Sequence, residues 1–221
     1  MQKIYTVIHA SDREQIIRNL DRTLNAGADG TFVINHGGIS LREMLETVAE
    51  LKVKMPKVFI GMNVLSGDSV GCFQIAESVK ADGLWLDESY IRLNPRYDEY
   101  LKEMDEARKV YTGQYFGSVA FKTHAQVGLD EALKVAVKSL PHVDVVTTSG
   151  AGTGSAPDVQ RIEQMKKVIG DKPLAIASGM SPENIELFPS ADAILAATGL
   201  QDSWTELNEK KIALMVSRKR K

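Results

Sequence analysis

Three features of the sequence predict an α/β protein closed as a TIM (β/α)8 barrel. Eight short runs rich in Val, Ile, Phe or Ala recur along the chain, apolar on both parities. That is the pattern of strands buried on both faces of a parallel sheet. Amphipathic segments with helical spacing separate the runs. A small residue followed by Asp also recurs: Ala28-Asp29-Gly30, Ala81-Asp82-Gly83, Val143-Asp144-Val145 and Ala191-Asp192-Ala193 stand before every second run. The repeat counts four units of two βα pairs, and its small-Asp pair suits a tight structural turn. A doubly wound open sheet uses the same alternation, but no Gly-x-Gly-x-x-Gly follows the first run. Divided by eight, 221 residues give about 28 per βα unit, so residues 1–221 read as one barrel domain.

The elements follow in order. Ile4–His9 is the first strand, and Ser11 with Glu14 reads as a capping box opening a helix over 12–26. Gly30–His36 is the second strand. Ser40 with Glu43 opens a helix over 42–53, with Leu41, Met44, Leu45, Val48 and Leu51 on one face. Lys57–Val64 and Gly83–Ser89 flank a helix over 69–80, and Pro56 helps to stop the helix before the third strand. Gln114–Phe121 and Val143–Gly150 follow helices over 95–109 and 128–139. Leu174–Met180 follows a helix over 157–169. Ser181-Pro182 then predicts a helix over 182–188, because proline is preorganised for the first helical position. Ala193–Leu200 is the eighth strand, and Ser203 with Glu206 predicts a last helix over 204–216.

Composition narrows the function. Lys and Arg number 27 against 29 Asp and Glu, so no strong basic field marks a nucleic-acid binder. The only cysteine is Cys72, which excludes an internal disulfide. No apolar run approaches the roughly 20 residues that span a bilayer. The N-terminal stretch turns polar too early for a secretory signal, and a cytoplasmic location is the expectation. The sequence is compatible with a homo-oligomer.

Active sites of such barrels lie at the C-terminal ends of the strands, which turns the strand list into a candidate list. Ile176-Ala177-Ser178-Gly179-Met180 and Leu195-Ala196-Ala197-Thr198-Gly199 end the last two strands. Glycine admits close backbone approach, and hydroxyls add donors, so Ser178, Gly179, Thr198 and Gly199 are candidate phosphate ligands. Ser149-Gly150-Ala151-Gly152-Thr153-Gly154 adds a glycine-rich loop in which Gly150 and Gly152 join that set. The Ser149–Pro157 segment is also the candidate for a moving cover. Lys122 and Asp87 are the candidate catalytic pair, as cation or proton donor and as general base. A plain Lys122–Asp87 salt bridge is the structural alternative. His9 and Asn63 are candidate orienting residues. Glu88 points away from the site if strand alternation continues. His36 and His124 are ordinary loop residues, and Trp85 and Trp204 are core or interface residues. The scatter of His9, His36, Asp87 and His124 matches no metal-ligand spacing, so no metal is expected and no cofactor is assigned.

Several stretches resemble the BtpA family: Phe59-Ile60-Gly61-Met62-Asn63-Val64-Leu65, Ala81-Asp82-Gly83-Leu84-Trp85-Leu86-Asp87, Asp144 through Pro157, and Ala177 through Asn184. The resemblance implies a TIM barrel of the phosphate-binding group and an enzyme of unsettled substrate. The family's namesake is linked to photosystem I biogenesis. The chain departs from the family after the second strand, where Asn35-His36-Gly37-Gly38 stands in place of an acidic-Asn pair followed by Asp. The expected function is an enzyme acting on a small phosphorylated metabolite, a sugar phosphate or nucleotide, by isomerase, lyase, or glycosyl or phosphoribosyl chemistry. The alternative is a non-catalytic assembly factor whose basic tail, Arg218-Lys219-Arg220-Lys221, makes weak membrane-surface contact.

Overall fold

The computed structural model describes residues 1–65, 68–124 and 127–220. Eight parallel strands close into a barrel in sequence order, with the last pairing the first. They are β1 (Lys3–His9), β2 (Gly30–Ile34), β3 (Phe59–Asn63), β4 (Gly83–Leu86), β5 (Gln114–Ser118), β6 (Val145–Thr148), β7 (Leu174–Ala177) and β8 (Ala193–Ala196). Around them run α1 (Arg13–Asn25), α2 (Leu41–Lys54), α3 (Gly71–Ser78), α4 (Asp98–Arg108), α5 (Leu129–Ser139) and α6 (Val159–Ile169). After β8 come a two-stranded hairpin, β9 (Gln201–Ser203) with β10 (Glu206–Leu207), and then α7 (Glu209–Arg218). The strands are shorter than the apolar runs. Buried Val119 and Phe121 lie beyond β5, because the loops above the barrel are themselves packed.

The recurring Asp does the structural work that its position predicts. Asp29, Asp82, Asp144 and Asp192 each stand just before an even-numbered strand. Each carboxylate accepts the N–H of the preceding odd-numbered strand: Ile4 at 2.9 Å, Ile60 at 2.8 Å, Tyr115 at 2.6 Å and Leu174 at 3.0 Å. Each is also held by a cation, respectively Lys219, Lys52, Arg108 and Lys166. Four charge-assisted clamps thus set neighbouring strands together at the end of the barrel opposite its C-terminal mouth.

The barrel interior is aromatic. Phe32 meets Phe116 at 5.0 Å, Phe59 at 5.6 Å, Tyr5 at 5.7 Å and Trp85 at 6.3 Å, mostly edge to face. Gly61 makes room for this cluster, since a Cβ there would sit 2.4 Å from the Phe32 ring.

Two predicted helix starts are not helices. Over 182–188 there is only a 3-10 turn, Ile185–Leu187. The Ser181 N–H is taken by Asn184 Oδ1 at 2.9 Å, and Pro189 restricts Phe188 to non-helical backbone. Ser203 does not open the last helix. Glu206, its expected box partner, is drawn to Arg18 and Arg22 of α1, while Asn19 Oδ1 takes the Leu207 N–H at 2.9 Å. The segment becomes β9–β10, and α7 starts at Asn208, whose side chain accepts the Lys211 N–H at 3.0 Å. At α1 the cap is Asp12 rather than Ser11, accepting the Gln15 N–H at 2.8 Å. Ser40 caps α2 through the Glu43 N–H at 3.2 Å. The Glu43 carboxylate does not complete that box, because it accepts the Arg13 N–H instead.

Candidate active site

A cavity of about 240 Å³ opens at the C-terminal end of the barrel. Its floor is apolar, formed by Val7, Ile34, Trp85, Ala177 and Leu195. These side chains stand where strand alternation turns β1, β2, β4, β7 and β8 toward the axis. Trp85 is fixed there by donating from Nε1 to Ser118 Oγ at 3.3 Å. His9, Asp87 and Lys122 line one part of the wall; Ser178, Thr198 and Thr153 line another.

Asp87 is the first residue past β4. The Asn63 amide at the end of β3 donates to its Oδ1 at 3.1 Å. Burial pushes the Asp87 carboxyl above the usual carboxylate range. The Asn63 hydrogen bond and the charges of Lys122 and His36 offset part of that rise. Glu88 turns away as alternation requires, and Arg92 grips its carboxylate at 2.9 and 3.0 Å. His124 braces the pair from behind. The Phe121 N–H donates to its Nδ1 at 3.2 Å, so its Nε2–H donates to the Asp87 carbonyl at 2.8 Å. That arrangement defines one neutral tautomer, and burial lowers the imidazole's pKa in the same sense.

Lys122 lies in the loop after β5, beyond a backbone reversal at Ala120, whose φ is +47°, and not on a strand. Its N–H is held by Ser149 Oγ at 2.8 Å. Its ammonium stands 5.5 Å from the Phe121 ring centre. No ion pair within 4.0 Å joins it to Asp87 among the described residues, so the structural alternative for this pair is not realised. His9 ends β1. Its Nδ1 lies 3.2 Å from both the Trp204 carbonyl and the Gln201 amide nitrogen. Burial lowers its pKa to about 4, against the opposing effect of the Trp204 carbonyl, and so favours the neutral imidazole.

The glycines divide into two kinds. Gly150, Gly179 and Gly199 do not line the cavity; they let the strand-end loops pack on one another. A Cβ at Gly150 would meet the Ser155 carbonyl at 2.1 Å. One at Gly179 would meet the Ala156 nitrogen at 2.1 Å, and one at Gly199 the Met180 carbonyl at 2.2 Å. Gly179 also needs its φ of +67°. Gly152, by contrast, has nothing within 4 Å of a Cβ. Ser178 joins the β6 and β7 loops, donating to the Gly152 carbonyl at 3.1 Å and accepting the Gly154 N–H at 3.3 Å.

Trp204 does not emerge from the strand-end rule. His36 ends the second predicted strand but reads as an ordinary loop residue, and Trp204 reads as core or interface packing; both line the cavity. Trp85 is core, as expected, but its indole also forms the floor. Trp204 sits on the β9–β10 turn and packs against His9, with ring centres 4.0 Å apart and the rings tilted by 32°. The basic tail is engaged elsewhere. Lys219 pairs with Asp29 at 2.7 Å, Arg220 with Asp192 at 3.5 Å, and Arg218 donates to the Pro182 carbonyl at 2.8 Å. Lys221 lies outside the described residues. Among the described residues no group of three His, Cys, Asp or Glu side chains is placed to hold a metal ion. No helix among them is long and apolar enough to cross a membrane.

A closed eight-stranded parallel barrel with polar groups gathered at its C-terminal mouth defines a TIM-barrel protein. Within that class, the chain belongs to the BtpA family, whose model it matches over residues 14–220. It is 28% identical over 225 residues to an uncharacterized protein of Pyrococcus abyssi, covering 89% of this chain and 84% of that one. It is 24% identical over 216 residues to an uncharacterized protein of Methanocaldococcus jannaschii, covering 87% and 79%. Among solved structures, (S)-3-O-geranylgeranylglyceryl phosphate synthase from Thermoplasma acidophilum superposes with a TM-score of 0.71 at 18% identity, covering 98% of this chain and 92% of that one. Phosphoribosyl anthranilate isomerase from Thermotoga maritima superposes with a TM-score of 0.66 at 14% identity, covering 99% and 98%. At those identities the likeness shows the shared fold.

Proposed function

We propose that this protein is an enzyme acting on a small phosphorylated metabolite bound at the C-terminal mouth of the barrel. The observation that carries the reading is one cavity lined both by Asp87, Lys122 and His9 and by the hydroxyl residues of the β7 and β8 loops. Both solved structures named above are of phosphate-ester enzymes by name, which supports the substrate class. Phosphate is assigned to the Thr198 hydroxyl and the loop amides around Gly152, Gly179 and Gly199, with Gly150 and Ser178 holding those loops together. The Gly179 N–H has no acceptor among the described residues.

Asp87 is the general acid–base. A carboxyl whose pKa is raised by burial exchanges its proton closer to neutral pH than a solvated one. Asn63 orients it. The Lys122 ammonium stabilises negative charge as it develops on the substrate. His9, neutral, orients the substrate by hydrogen bonding. Isomerisation, elimination, and glycosyl or phosphoribosyl transfer are each compatible with one such carboxyl and one such cation. The test is thermal shift and crystal soaking with orthophosphate, sulfate and a panel of sugar phosphates. A rise in Tm with density beside Thr153, Ser178 and Thr198 is the expected result; no shift and no density overturns the reading.

The assembly-factor reading depends on a free basic tail, whereas Arg218, Lys219 and Arg220 are all engaged by the barrel. Co-sedimentation with anionic liposomes at low salt, with and without residues 217–221, separates the two. The enzyme reading expects no sedimentation.

A further inference from the structure

We infer that the substrate is a phosphate ester carrying a neutral planar ring, and that Trp204 is the residue that selects it. This rests on the phosphate site proposed above and adds the identity of the ligand's other end. The argument starts from the hairpin. Residues 201–207 are not a stray loop, because α1 clamps them at several points. The Thr205 carbonyl accepts from the side chains of Gln15 and Asn19, the latter at 2.9 Å. Asn19 Oδ1 takes the Leu207 N–H, and Glu206 is paired with Arg18 and Arg22. What this anchored hairpin presents to the cavity is Trp204.

The indole is positioned from two further sides. Its Nε1–H donates to the His36 carbonyl at 3.2 Å, and its ring lies 4.0 Å from the His9 ring and 5.1 Å, edge on, from that of His36. Yet Trp204 remains 44% exposed while Trp85, on the cavity floor, is 5% exposed. A large aromatic side chain that is immobilised, half exposed and lining a cavity has unsatisfied apolar surface facing the ligand. With His9 neutral, the paired His9 and Trp204 rings carry no charge, so the complementary group is an uncharged π-system. The His9 Nε2 has no partner among the described residues and is available to such a ring's polar edge. The cavity, at about 240 Å³, is below the roughly 300–1,000 Å³ of sites for drug-sized ligands. One ring and one phosphate suit that size, and a dinucleotide does not.

The probes are AMP and phenyl phosphate, which carry rings, against ribose 5-phosphate and glycerol 1-phosphate, which do not. Affinities are measured by calorimetry and by tryptophan fluorescence on the full chain. The ring-bearing esters are expected to bind about tenfold more tightly or better, the order that base–aromatic stacking supplies, and to quench emission. Trp204→Leu is expected to bring them down to the level of the ring-free esters and abolish the quench, and Trp204→Phe to keep most of the preference. Far-ultraviolet circular dichroism confirms that both variants fold. If ring-free esters bind as tightly as ring-bearing ones, or the preference survives Trp204→Leu, ring selection is overturned while the phosphate site stands. If no phosphate ester binds at all, the phosphate site falls and this inference with it.

Discussion

The clamp at Asp29 gives the sharpest test of what holds the barrel closed. Its side chain is 14% exposed and accepts the Ile4 N–H at 2.9 Å, Lys219 Nζ at 2.7 Å and Lys3 Nζ at 2.8 Å. Asp29→Ala removes a hydrogen bond to a charged acceptor, worth about 1.5–3 kcal/mol. It also strands Lys219, itself 12% exposed, for which about 1–2 kcal/mol is reasonable because the chain end lets the ammonium turn toward water. The Lys3 pair, 48% exposed on the lysine side, adds about 0–1 kcal/mol. The sum, about 2.5–6 kcal/mol, corresponds to a fall in Tm of about 5–24 °C for a chain of this length. Asp29→Asn keeps an acceptor for Ile4 and should lose about half as much. Burial would raise the Asp29 carboxyl, but Lys219, Lys3 and the Ile4 N–H outweigh it and hold the pKa below 3.8. A depressed acid stabilises the fold above its unfolded pKa, and the stabilisation is lost as pH falls through the folded value. Below about pH 4 the Asn variant should therefore lose stability less steeply than wild type. Urea unfolding at a series of pH values measures both effects. A loss under 1 kcal/mol for Asp29→Ala, or acid limbs that run parallel, would refute the account of the Asp repeat.

Other expectations concern the mouth. Asp87 has a raised pKa, so wild type should lose stability as pH climbs through and above the ordinary carboxylate range. Asp87→Asn should escape that loss and be the more stable protein at neutral pH, while turnover drops by about 10²–10⁴-fold; chemical denaturation against pH and a rate assay read the two. His9 has its pKa lowered from 6.5 to about 4, so stability should rise between pH 4 and 6.5 by up to about 3 kcal/mol. His9→Gln should flatten that rise, and an unchanged pH profile would sink the assignment. Gly179→Ala combines a φ of +67° with a Cβ 2.1 Å from the Ala156 nitrogen. It should cost about 1–3 kcal/mol of stability and abolish orthophosphate binding in calorimetry, whereas Gly152→Ala, with open space around it, should bind nearly as wild type.

The barrel was legible because burial on both faces leaves a strand no polar parity, and because the Asp before every second strand serves a local purpose that its sequence context reveals. His9 and Asp87 line the cavity for a related reason: each stands at the end of an otherwise apolar run, while Lys122 reaches it from the loop after β5. The hairpin was not legible. Ser203-Trp204-Thr205-Glu206 is a locally consistent helix start, and nothing within it says that Arg18 and Arg22 will claim Glu206. A partner far away in sequence outweighed a capping box worth about 1 kcal/mol. The same limit hid the role of the glycines. Gly150, Gly179 and Gly199 look like phosphate ligands in sequence, yet each is explained first by a backbone neighbour that a Cβ would strike.

The two sides of the cavity consequently differ in how they are built. On the side of Trp204 and His9, α1 holds the hairpin by hydrogen bonds and ion pairs, so that aromatic surface is in place without a ligand. On the side of the β6 loop, a Cβ at Gly152 or Gly154 would meet open space, and the hydrogen-bonded link from this stretch to the β7 loop is the Ser178 hydroxyl. A preorganised surface contributes its contacts without an ordering cost, whereas an adaptable loop must first lose freedom. If the proposed phosphate and ring sites hold, selection among substrates belongs to the rigid side, and adjustment around a common phosphate to the other. Ser178→Ala, which cuts that link, should then weaken ring-bearing and ring-free esters by the same factor in calorimetry. A loss confined to one class would mean that the two sides act as one.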